Sequence, residues 1–291
     1  LMENLNIWSN NVQMSRVDYA RRFSDQILSM LINSRTELHR QYFGTKPTSG
    51  TKYFVLDNLL DPKDVEKIYL GFENGKGFWE KMNTFRERKS TYKKLDNLNP
   101  IVAEVSEAFH DSRILETISE ITQIKDLEAD PSLYAGGLSS MKRGDFLNPH
   151  IDNSHDAARQ RYRRLNLLYY ISPKWEKGNG GNFEVWDDKG LTPTVIWSIF
   201  NRLVVMETTP TSYHSVTPVT SEGYRCCVSN YFFSKSSPKS HHYYHVTSFT
   251  GRPDQKFRRL VGRLDNFTRN RFSRYTGISR WKHLVRDIEP S

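Results

Sequence analysis

The second half of the chain is built from short runs rich in aromatic and β-branched residues, separated by turns of Gly, Asn, Asp and Pro. This pattern begins near Leu127 and is typical of antiparallel sandwiches and barrels, in which each strand crosses the sheet once before the chain reverses. The predicted strands span 133–141, 146–151, 165–171, 182–186, 194–199, 203–207, 213–218 and 224–233. Eight short strands fit a double-sheet jelly roll, so the sequence predicts a mostly β fold.

Helical patterns precede these strands. Apolar residues spaced three or four apart predict an amphipathic helix over 16–38 and further helices over 61–70, 100–109 and 112–121. A short strand is predicted between the first two helices, at 53–56. We expect the helices to pack against the outside of the jelly-roll core and support it.

The predicted organisation has three parts. Residues 1–52 form an N-terminal helix and loop, residues 53–234 form the β domain with its helical support, and residues 235–291 form a basic extension that packs on the same domain through a helical tail. From Gly251 onward the chain carries eleven Lys or Arg residues against four Asp or Glu. Such a segment could meet nucleic acid, anionic lipid or an acidic partner, but a solvated helical face is the favoured interpretation. Nucleic acid is not predicted as a partner because no recognised nucleic-acid module accompanies the tail.

The composition is that of a folded chain, with 37% hydrophobic and 26% charged residues. The longest apolar stretches, such as 167–171, are too short to span a bilayer. The N-terminus lacks the basic and apolar regions of a secretory signal, so a cytoplasmic location is expected. Cys226 and Cys227 are adjacent on a predicted strand and face opposite sides, which predicts two core thiols and no disulfide between them. The sequence makes no prediction of oligomeric state.

One constellation within the β domain has metal-binding chemistry. Residues two apart on a strand point to the same face, so His150 and Asp152 can present an imidazole and a carboxylate to one point. His-x-Asp pairs often occur by chance, but here a turn leads into the pair and a later strand supplies His214. Two imidazoles and one carboxylate on one face of a metal, with the other positions open, are typical of non-heme Fe(II) oxygenases.

Several motifs in order resemble a known family. They are Gly-Asp-Phe-Leu-x-x-His-x-Asp at 144–152, Asn-Leu-Leu-Tyr-Tyr-Ile at 166–171, Gly-Gly-Asn-Phe at 180–183, Asn-Arg-Leu-Val-Val at 201–205, and His-x-Val-x-Pro-Val at 214–219 followed by Arg225. Across roughly 53–234 the chain resembles the Fe(II)/2-oxoglutarate-dependent dioxygenases, and within them the prolyl 4-hydroxylase-like branch. The resemblance implies a double-stranded β-helix, which is the jelly roll expected from the strands.

The resemblance also implies a role for each residue of the constellation. His150, Asp152 and His214 would bind Fe(II), and Arg225 would pair with the distal carboxylate of 2-oxoglutarate through its planar fork of donors. Tyr170 matches a tyrosine that often hydrogen-bonds the same co-substrate, although a core tyrosine is an equally good interpretation. Dioxygen would be the second co-substrate, and a requirement for ascorbate is left open.

The expected reaction is hydroxylation of an unactivated C–H bond with release of succinate and CO2. Related halogenases have a small residue in place of the carboxylate, so Asp152 favours hydroxylation. The substrate could be peptidyl proline, an amino acid or a small metabolite. A basic run at 159–164 follows the metal motif, and within it Arg161 and Arg163 are candidates for binding an anionic substrate, with a solvated loop as the alternative.

Two other functions stay open at this point. The chain could be a jelly-roll binding or metal-sensing protein without turnover, or a zinc hydrolase using the same ligands, although no general base is evident. His155 is predicted to be a surface or lid residue. His241, His242 and His245 lack a partner carboxylate or cysteine at fixed spacing and are predicted at the surface, outside any second metal site.

Met141 stands where many relatives have a tyrosine, which predicts a different co-substrate pocket there.

Overall fold

A computed structural model describes residues 16–44, 50–73, 79–92, 99–130, 136–239, 241–255 and 259. The helices are α1 (Arg16–Gly44), α2 (Pro62–Glu73), α3 (Pro100–Ala108) and α4 (Ser112–Thr122). The strands are β1 (Tyr53–Asp57), β2 (Glu80–Asn83), β3 (Glu87–Tyr92), β4 (Glu128–Ala129), β5 (Gly137–Met141), β6 (Phe146–Ile151), β7 (Tyr162–Tyr170), β8 (Phe183–Trp186), β9 (Pro193–Ile196), β10 (Arg202–Glu207), β11 (His214–Val216), β12 (Arg225–Ser234) and β13 (Ser248–Phe249).

The strands of the described residues form one curled antiparallel sheet in the order β1-β10-β7-β12-β5-β3-β6-β11-β8-β9. Strand β3 joins the two halves of the curl, because its C-terminal residues pair with β5 and its first two residues pair with β6. Strand β13 pairs with β6 beyond the point where β3 ends. The curl encloses a cavity between the two halves, and this mostly β jelly roll with packed helices confirms the fold class predicted from the sequence.

Successive side chains of β7 and β12 point alternately to the helix-facing side of the sheet and to the cavity. On β7, Leu165, Leu167 and Tyr169 are buried in the main hydrophobic core with the helices, whereas Leu168 and Tyr170 belong to a second cluster inside the curl. This is the period of two that a strand imposes on its side chains. A strand that is apolar on one side and polar or aromatic on the other thus carries both the core and the site.

Strand β12 shows the same separation for the two cysteines. Cys226 lies in the helix-facing core and Cys227 in the cluster within the curl, and both are free thiols. Burial raises the pKa of both thiols, so they remain protonated and unreactive at neutral pH. The prediction of two core thiols without a disulfide is confirmed.

The helices cover one face of the sheet. Helix α1 packs against α3, α4 and β1, and Phe23, Ile27 and Leu31 on it are completely buried. Both α3 and α4 begin with a side-chain cap: Asn99 accepts a hydrogen bond from the amide of Ile101, and Asp111 accepts one from the amide of Arg113. The predicted helices are confirmed, and the first extends further than expected, to Gly44.

Four strands were not predicted, namely β2, β3, β4 and β13. Strands β2 and β3 have the sequences Glu-Lys-Met-Asn and Glu-Arg-Lys-Ser-Thr-Tyr, which are too polar to show a strand pattern. Of the C-terminal extension, the structure describes residues 235–239, 241–255 and 259. The rest of the predicted helical tail lies outside the described residues. None of the helices in the described part of the chain combines the length and hydropathy that a membrane span requires.

Candidate metal centre

The structure brings His150, Asp152 and His214 together in the cavity. Strand β6 carries His150 and ends just before Asp152, and β11 places His214 directly opposite His150 in the register. One ligand atom from each residue lies within 4.8 Å of the others, and all three side chains are buried. Among the described residues this is the single group of three or more His, Cys, Asp or Glu side chains that could hold a metal ion.

A bulge in β6 sets the direction of this strand at the site. His214 pairs with His150 and Val216 with Leu147, so β6 has one residue more than β11 between the two pairs. Pro149 lies in this interval, and bulges are where a sheet tolerates proline. The extra residue redirects the strand just before His150, which it carries, and Asp152, which follows it.

Both imidazoles are held by main-chain carbonyls. Nδ1 of His150 lies 3.0 Å from the carbonyl oxygen of Asn148, and Nδ1 of His214 lies 3.0 Å from that of Ser212. A carbonyl only accepts, so each Nδ1 carries the proton and each Nε2 is the free lone pair. The Nε2 atoms lie 3.6 Å and 3.5 Å from the carboxylate oxygens of Asp152, so all three donors converge.

The charges in the site favour ligand forms at neutral pH. Burial alone would raise the pKa of Asp152, but the neighbouring His214 and the guanidinium of Arg163 outweigh it and hold the pKa well below its usual range. Burial and the neighbouring His150 lower the pKa of His214 to about 4. An ionised carboxylate and a neutral imidazole are the forms that bind a metal.

Arg163 is completely buried beside the carboxylate, with Nη1 3.4 Å from Oδ2 of Asp152. A second bulge explains its direction: Phe232 pairs with Leu165 and Phe233 with Arg163, so Arg164 is an extra residue in β7. The bulge reverses the alternation and turns Arg163 into the cavity side of the sheet.

The two arginines predicted to bind substrate both make polar contacts within the fold. Arg161 forms ion pairs with Asp156 and Glu128, both at 2.8 Å. Arg163 also donates to the side chain of Asn153 at 2.8 Å. The substrate-binding role predicted for Arg161 and Arg163 stays a prediction, and the surroundings favour it more for Arg163, which adjoins the candidate metal site.

Arg225 lies deeper in the same cavity. It is the first residue of β12, is only 4% exposed, and has a guanidinium stacked 4.6 Å above the ring of Tyr170. Its Nη1 lies 3.7 Å from the sulfur of Met141, the residue opposite it in the register. Nε of Arg225 is buried without a hydrogen-bond partner among the described residues, and the buried hydroxyl of Tyr170 lies near Arg225 and Ser198.

The guanidinium of Arg225 and the hydroxyl of Tyr170 indicate whether the site fits a dicarboxylate. A buried guanidinium without a carboxylate is costly, and the tyrosine hydroxyl stays protonated because burial raises the pKa of Tyr170 well above its ordinary value. Arg225 lines a cavity of about 110 Å³ whose lining also includes His150, Asp152 and His214, and Tyr170 lies against its guanidinium. The residues present fit a metal ion and, beside it, a ligand with a distal carboxylate.

The chain after β12 forms a wall of the site that the sequence did not predict. Ser248 pairs with Ile151 and Phe249 with His150. The ring of Phe249 stacks on the imidazole of His150, with centroids 4.9 Å apart and planes inclined by 16°. This contact joins residues almost one hundred positions apart, and the local sequence gives no signal of it beyond the two apolar residues Val246 and Phe249.

The other histidines considered from the sequence lie outside the His150, Asp152 and His214 cluster. His155 is buried, which corrects its prediction as a surface residue; it accepts or donates a 2.7 Å hydrogen bond with Ser154 and packs against Tyr162. His242 is exposed and lies 2.5 Å from the hydroxyl of Tyr162. His245 is half-buried, and its Nε2 has no hydrogen-bond partner among the described residues.

His245 leads to a prediction about acid stability. Burial lowers the pKa of His245 to about 4, in surroundings that include His155, Asp152 and Arg163. The unfolded chain takes up this proton near the ordinary value of about 6.5, so stability should fall as the pH drops from there toward 4, by on the order of 1–3 kcal/mol. Urea unfolding of the wild type and of His245→Gln across this range should show a shallower loss in the variant. Parallel curves for the two proteins would contradict the prediction.

The class of protein follows from a comparison with known families. Residues 136–233 match the model of the 2OG-Fe(II) oxygenase superfamily. The matched region contains both metal-ligand strands and the candidate co-substrate arginine, and it lies within the jelly roll. The match covers less than half of the chain, and it confirms the resemblance of the sequence motifs to that superfamily.

Individual relatives and solved structures are similar to parts of the chain. It is 36% identical over 76 residues to prolyl 3-hydroxylase OGFOD1 of Xenopus laevis, and 34% identical over 80 residues to the protein of the same name from Mus musculus. These matches cover 24% and 25% of this chain and only 15% of each relative. A crystal structure of a Pseudomonas putida prolyl-4-hydroxylase aligns with 68% of this chain and all of its own, with a TM-score of 0.51 and 13% identity, which shows the fold alone.

Proposed function

We propose that the chain is an Fe(II)- and 2-oxoglutarate-dependent dioxygenase that hydroxylates an unactivated C–H bond. The observation that carries the proposal is the placement, in one buried cavity, of the His150, Asp152 and His214 cluster beside Arg225, a guanidinium with no carboxylate partner among the described residues. The first three fit iron and the fourth fits the far end of 2-oxoglutarate. The matched superfamily supports both assignments.

In this proposal His150 and His214 bind the metal through Nε2, and Asp152 supplies the third ligand. The main-chain carbonyls at Nδ1 fix the tautomer and plane of each ring before the metal arrives. Two neutral imidazoles and one carboxylate leave open positions for small ligands. When bound, iron with 2-oxoglutarate and dioxygen supplies the oxidising chemistry and releases succinate and CO2.

Arg225 and Tyr170 would orient the co-substrate. Arg225 can give a carboxylate two parallel charge-assisted hydrogen bonds, and the protonated Tyr170 hydroxyl can give another. The low dielectric of the buried pocket strengthens these bonds. Met141 lies against the guanidinium, and its thioether is only a weak acceptor for the donors of Arg225.

Asp152 supports hydroxylation in particular. Its carboxylate occupies the position that is a small residue in the related halogenases, and Arg163 holds it from behind at 3.4 Å. A carboxylate fixed in this way leaves no vacant site for a halide beside the imidazoles. We therefore propose return of a hydroxyl group to the substrate.

A binding or metal-sensing protein without turnover is the weaker alternative. A protein that only bound a metal would not need a buried arginine poised for a carboxylate, and burying that charge has a cost in stability. A zinc hydrolase would need a general base beside the metal. Outside the three ligands, the described residues that line the cavity include no carboxylate.

Peptidyl proline, an amino acid and a small metabolite are the proposed substrate classes. Peptidyl proline comes first because two curated relatives are named prolyl 3-hydroxylases, although this chain spans a small part of each. Arg163 is the candidate for contact with a carbonyl or an anionic group of the substrate. We further propose dioxygen as co-substrate and a cytoplasmic location, which the two free thiols support, and the assay should include ascorbate as a candidate cofactor.

The test of function uses metal and co-substrate without a substrate. Anaerobic addition of Fe(II) and 2-oxoglutarate should give a weak visible charge-transfer band, and oxygen should then release succinate slowly. His150→Ala and His214→Ala should remove both signals because each takes away one of three ligands. Absence of the band and of iron uptake in the wild type would refute the assignment, while iron uptake without any succinate would favour the binding protein.

Candidate substrates can be screened with succinate release as the readout. Peptides with proline, free amino acids and small metabolites can be compared by the increase in succinate and by a mass gain of one oxygen atom. We expect one class to accelerate succinate release well above the uncoupled rate. Metal analysis after anaerobic purification separates iron from zinc.

A further inference from the structure

The segment 245–252 runs along β6, which carries His150 and leads into Asp152. We call it the strap. Strand β3 pairs only with Phe146 and Leu147 of β6, so the ligand-bearing half of β6 has no partner from β3. The strap takes that place through β13, which pairs with His150 and Ile151. It thereby closes an edge that would otherwise expose unpaired main-chain groups beside the site.

Hydrogen bonds tie the strap to the chain on both sides of the ligands. The amide of Thr250 donates to the carbonyl of Pro149 at 2.8 Å. Beyond the ligands, the amide of Ser154 donates to the carbonyl of His245 at 3.0 Å, and the amide of His245 donates to the hydroxyl of Ser154 at 2.9 Å. The main chain from 149 to 154, which includes both His150 and Asp152, is therefore held at each end by the strap.

An ion pair anchors the far end of the strap beneath the third ligand. Arg252 makes a bidentate contact with Glu184 on β8, at 3.2 Å and 2.6 Å. Glu184 is buried and accepts a 2.5 Å hydrogen bond from Ser215, the residue after His214. Bidentate Arg–carboxylate pairs fix geometry as well as adding energy. The strap thus connects the two strands that carry the ligands.

Phe249 is the part of the strap that touches a ligand. Its ring lies nearly parallel to the imidazole of His150, whose ring centroid is 4.1 Å from that of His214. Phe249 is buried as well. An imidazole held by one hydrogen bond at Nδ1 can still tilt about that bond, and a flat surface against its face removes this freedom.

We propose that the strap is a positioning element of the metal centre and that Phe249 is the residue that fixes the ring plane of His150. The proposal rests on the proposed function, because it concerns the same metal site. It adds a role for the part of the chain that follows the jelly roll, which the matched region, ending at 233, does not include. Phe249 acts through His150 and is a positioning residue, distinct from the groups that would touch metal or co-substrate.

Co(II) binding to the full chain tests the proposal, since Co(II) reports both affinity and ligand geometry through its visible absorption. We expect Phe249→Leu to weaken Co(II) affinity about tenfold and to shift the absorption band, because loss of a group that orients a ligand typically costs 10- to 100-fold. Phe249→Tyr keeps the flat ring and should restore both values. The matched control is Phe54→Leu, in a completely buried residue of β1 that belongs to the helix-facing core.

The outcomes separate the two proposals. Equal affinity and an unchanged spectrum in Phe249→Leu would overturn the positioning role while leaving the proposed function intact, provided that the wild type binds Co(II) and releases succinate with Fe(II). The same holds if Phe54→Leu weakens binding as much as Phe249→Leu, because the effect would then be one of general stability. A wild type that binds no Co(II) would overturn both. If Phe249→Leu is insoluble, Phe249→Met carries the same comparison with the control Phe54→Met.

Discussion

Replacement of Asp152 by asparagine is expected to abolish succinate release and to weaken Fe(II) or Co(II) binding by more than about 100-fold. The amide keeps the shape of the side chain but removes the charge that the metal needs. Groups that only orient a ligand already contribute 10- to 100-fold to metal affinity, so loss of a ligand itself should exceed that range. Metal titration and succinate assays on the same preparation give both values.

The same residue has a second role in the metal-free chain. Arg163 is completely buried, and Asp152 is its one ion-pair partner among the described residues. Removing one partner of a buried pair leaves an uncompensated charge, which typically costs about 3–5 kcal/mol. Asp152→Ala should therefore unfold at a clearly lower urea concentration than the wild type, in the absence of metal.

A double variant separates these two effects. Asp152→Ala with Arg163→Met removes the orphaned charge and should recover most of the lost stability without recovering metal binding. If Asp152→Ala were as stable as the wild type, the ion pair would not be important for the fold. If the asparagine variant still bound Co(II) with unchanged affinity, the carboxylate would not be a ligand and the proposed site would be wrong.

The metal motif could be predicted from the sequence because its geometry is local or falls on clear strands. His150 and Asp152 are two apart, and the apolar alternation around His214 predicted a strand. Their convergence followed from the resemblance and is seen in the register of β6 with β11. The helices were equally accessible, since their apolar spacing extends over several turns.

The effect of a β-bulge on side-chain direction could not be predicted from the sequence. Arg161 and Arg163 are two apart and looked equivalent, yet the first pairs with Asp156 and Glu128 while the second pairs with Asp152. Arg161 precedes β7, whereas Arg163 lies on β7 next to the extra residue Arg164, and this bulge depends on how β7 pairs with β12 and leaves no local signal. The direction of a side chain next to a bulge is a property of the sheet.

The strap was missed for a different reason. Its residues are polar apart from Val246 and Phe249, and β13 has only two residues, so neither alternation nor length identifies a strand. It is ordered by partners far away in the chain, namely Pro149, Ser154 and Glu184. Contacts at that separation are set by the completed fold and not by local propensity.

Arg225→Met is expected to raise the KM for 2-oxoglutarate roughly 100-fold, because two charge-assisted hydrogen bonds of about 1.5 kcal/mol each would be lost. Arg225→Lys keeps the charge without the planar fork, so its KM for 2-oxoglutarate should lie between those of Arg225→Met and the wild type. The matched control is Arg202→Met on β10, where the arginine makes a bidentate pair with Asp57 at the periphery. The control should leave the KM unchanged.

Thermal unfolding distinguishes a ligand-binding arginine from a structural one. Without 2-oxoglutarate, Arg225→Met should be at least as stable as the wild type, because it removes a buried charge that has no carboxylate partner among the described residues. With Co(II) and 2-oxoglutarate at 100 times its dissociation constant, the wild type should gain about 2.7 kcal/mol, and the variant should gain almost none. A variant that is destabilised on its own yet keeps the full gain from 2-oxoglutarate would show that Arg225 supports the fold, and the co-substrate would then have to bind elsewhere in the cavity.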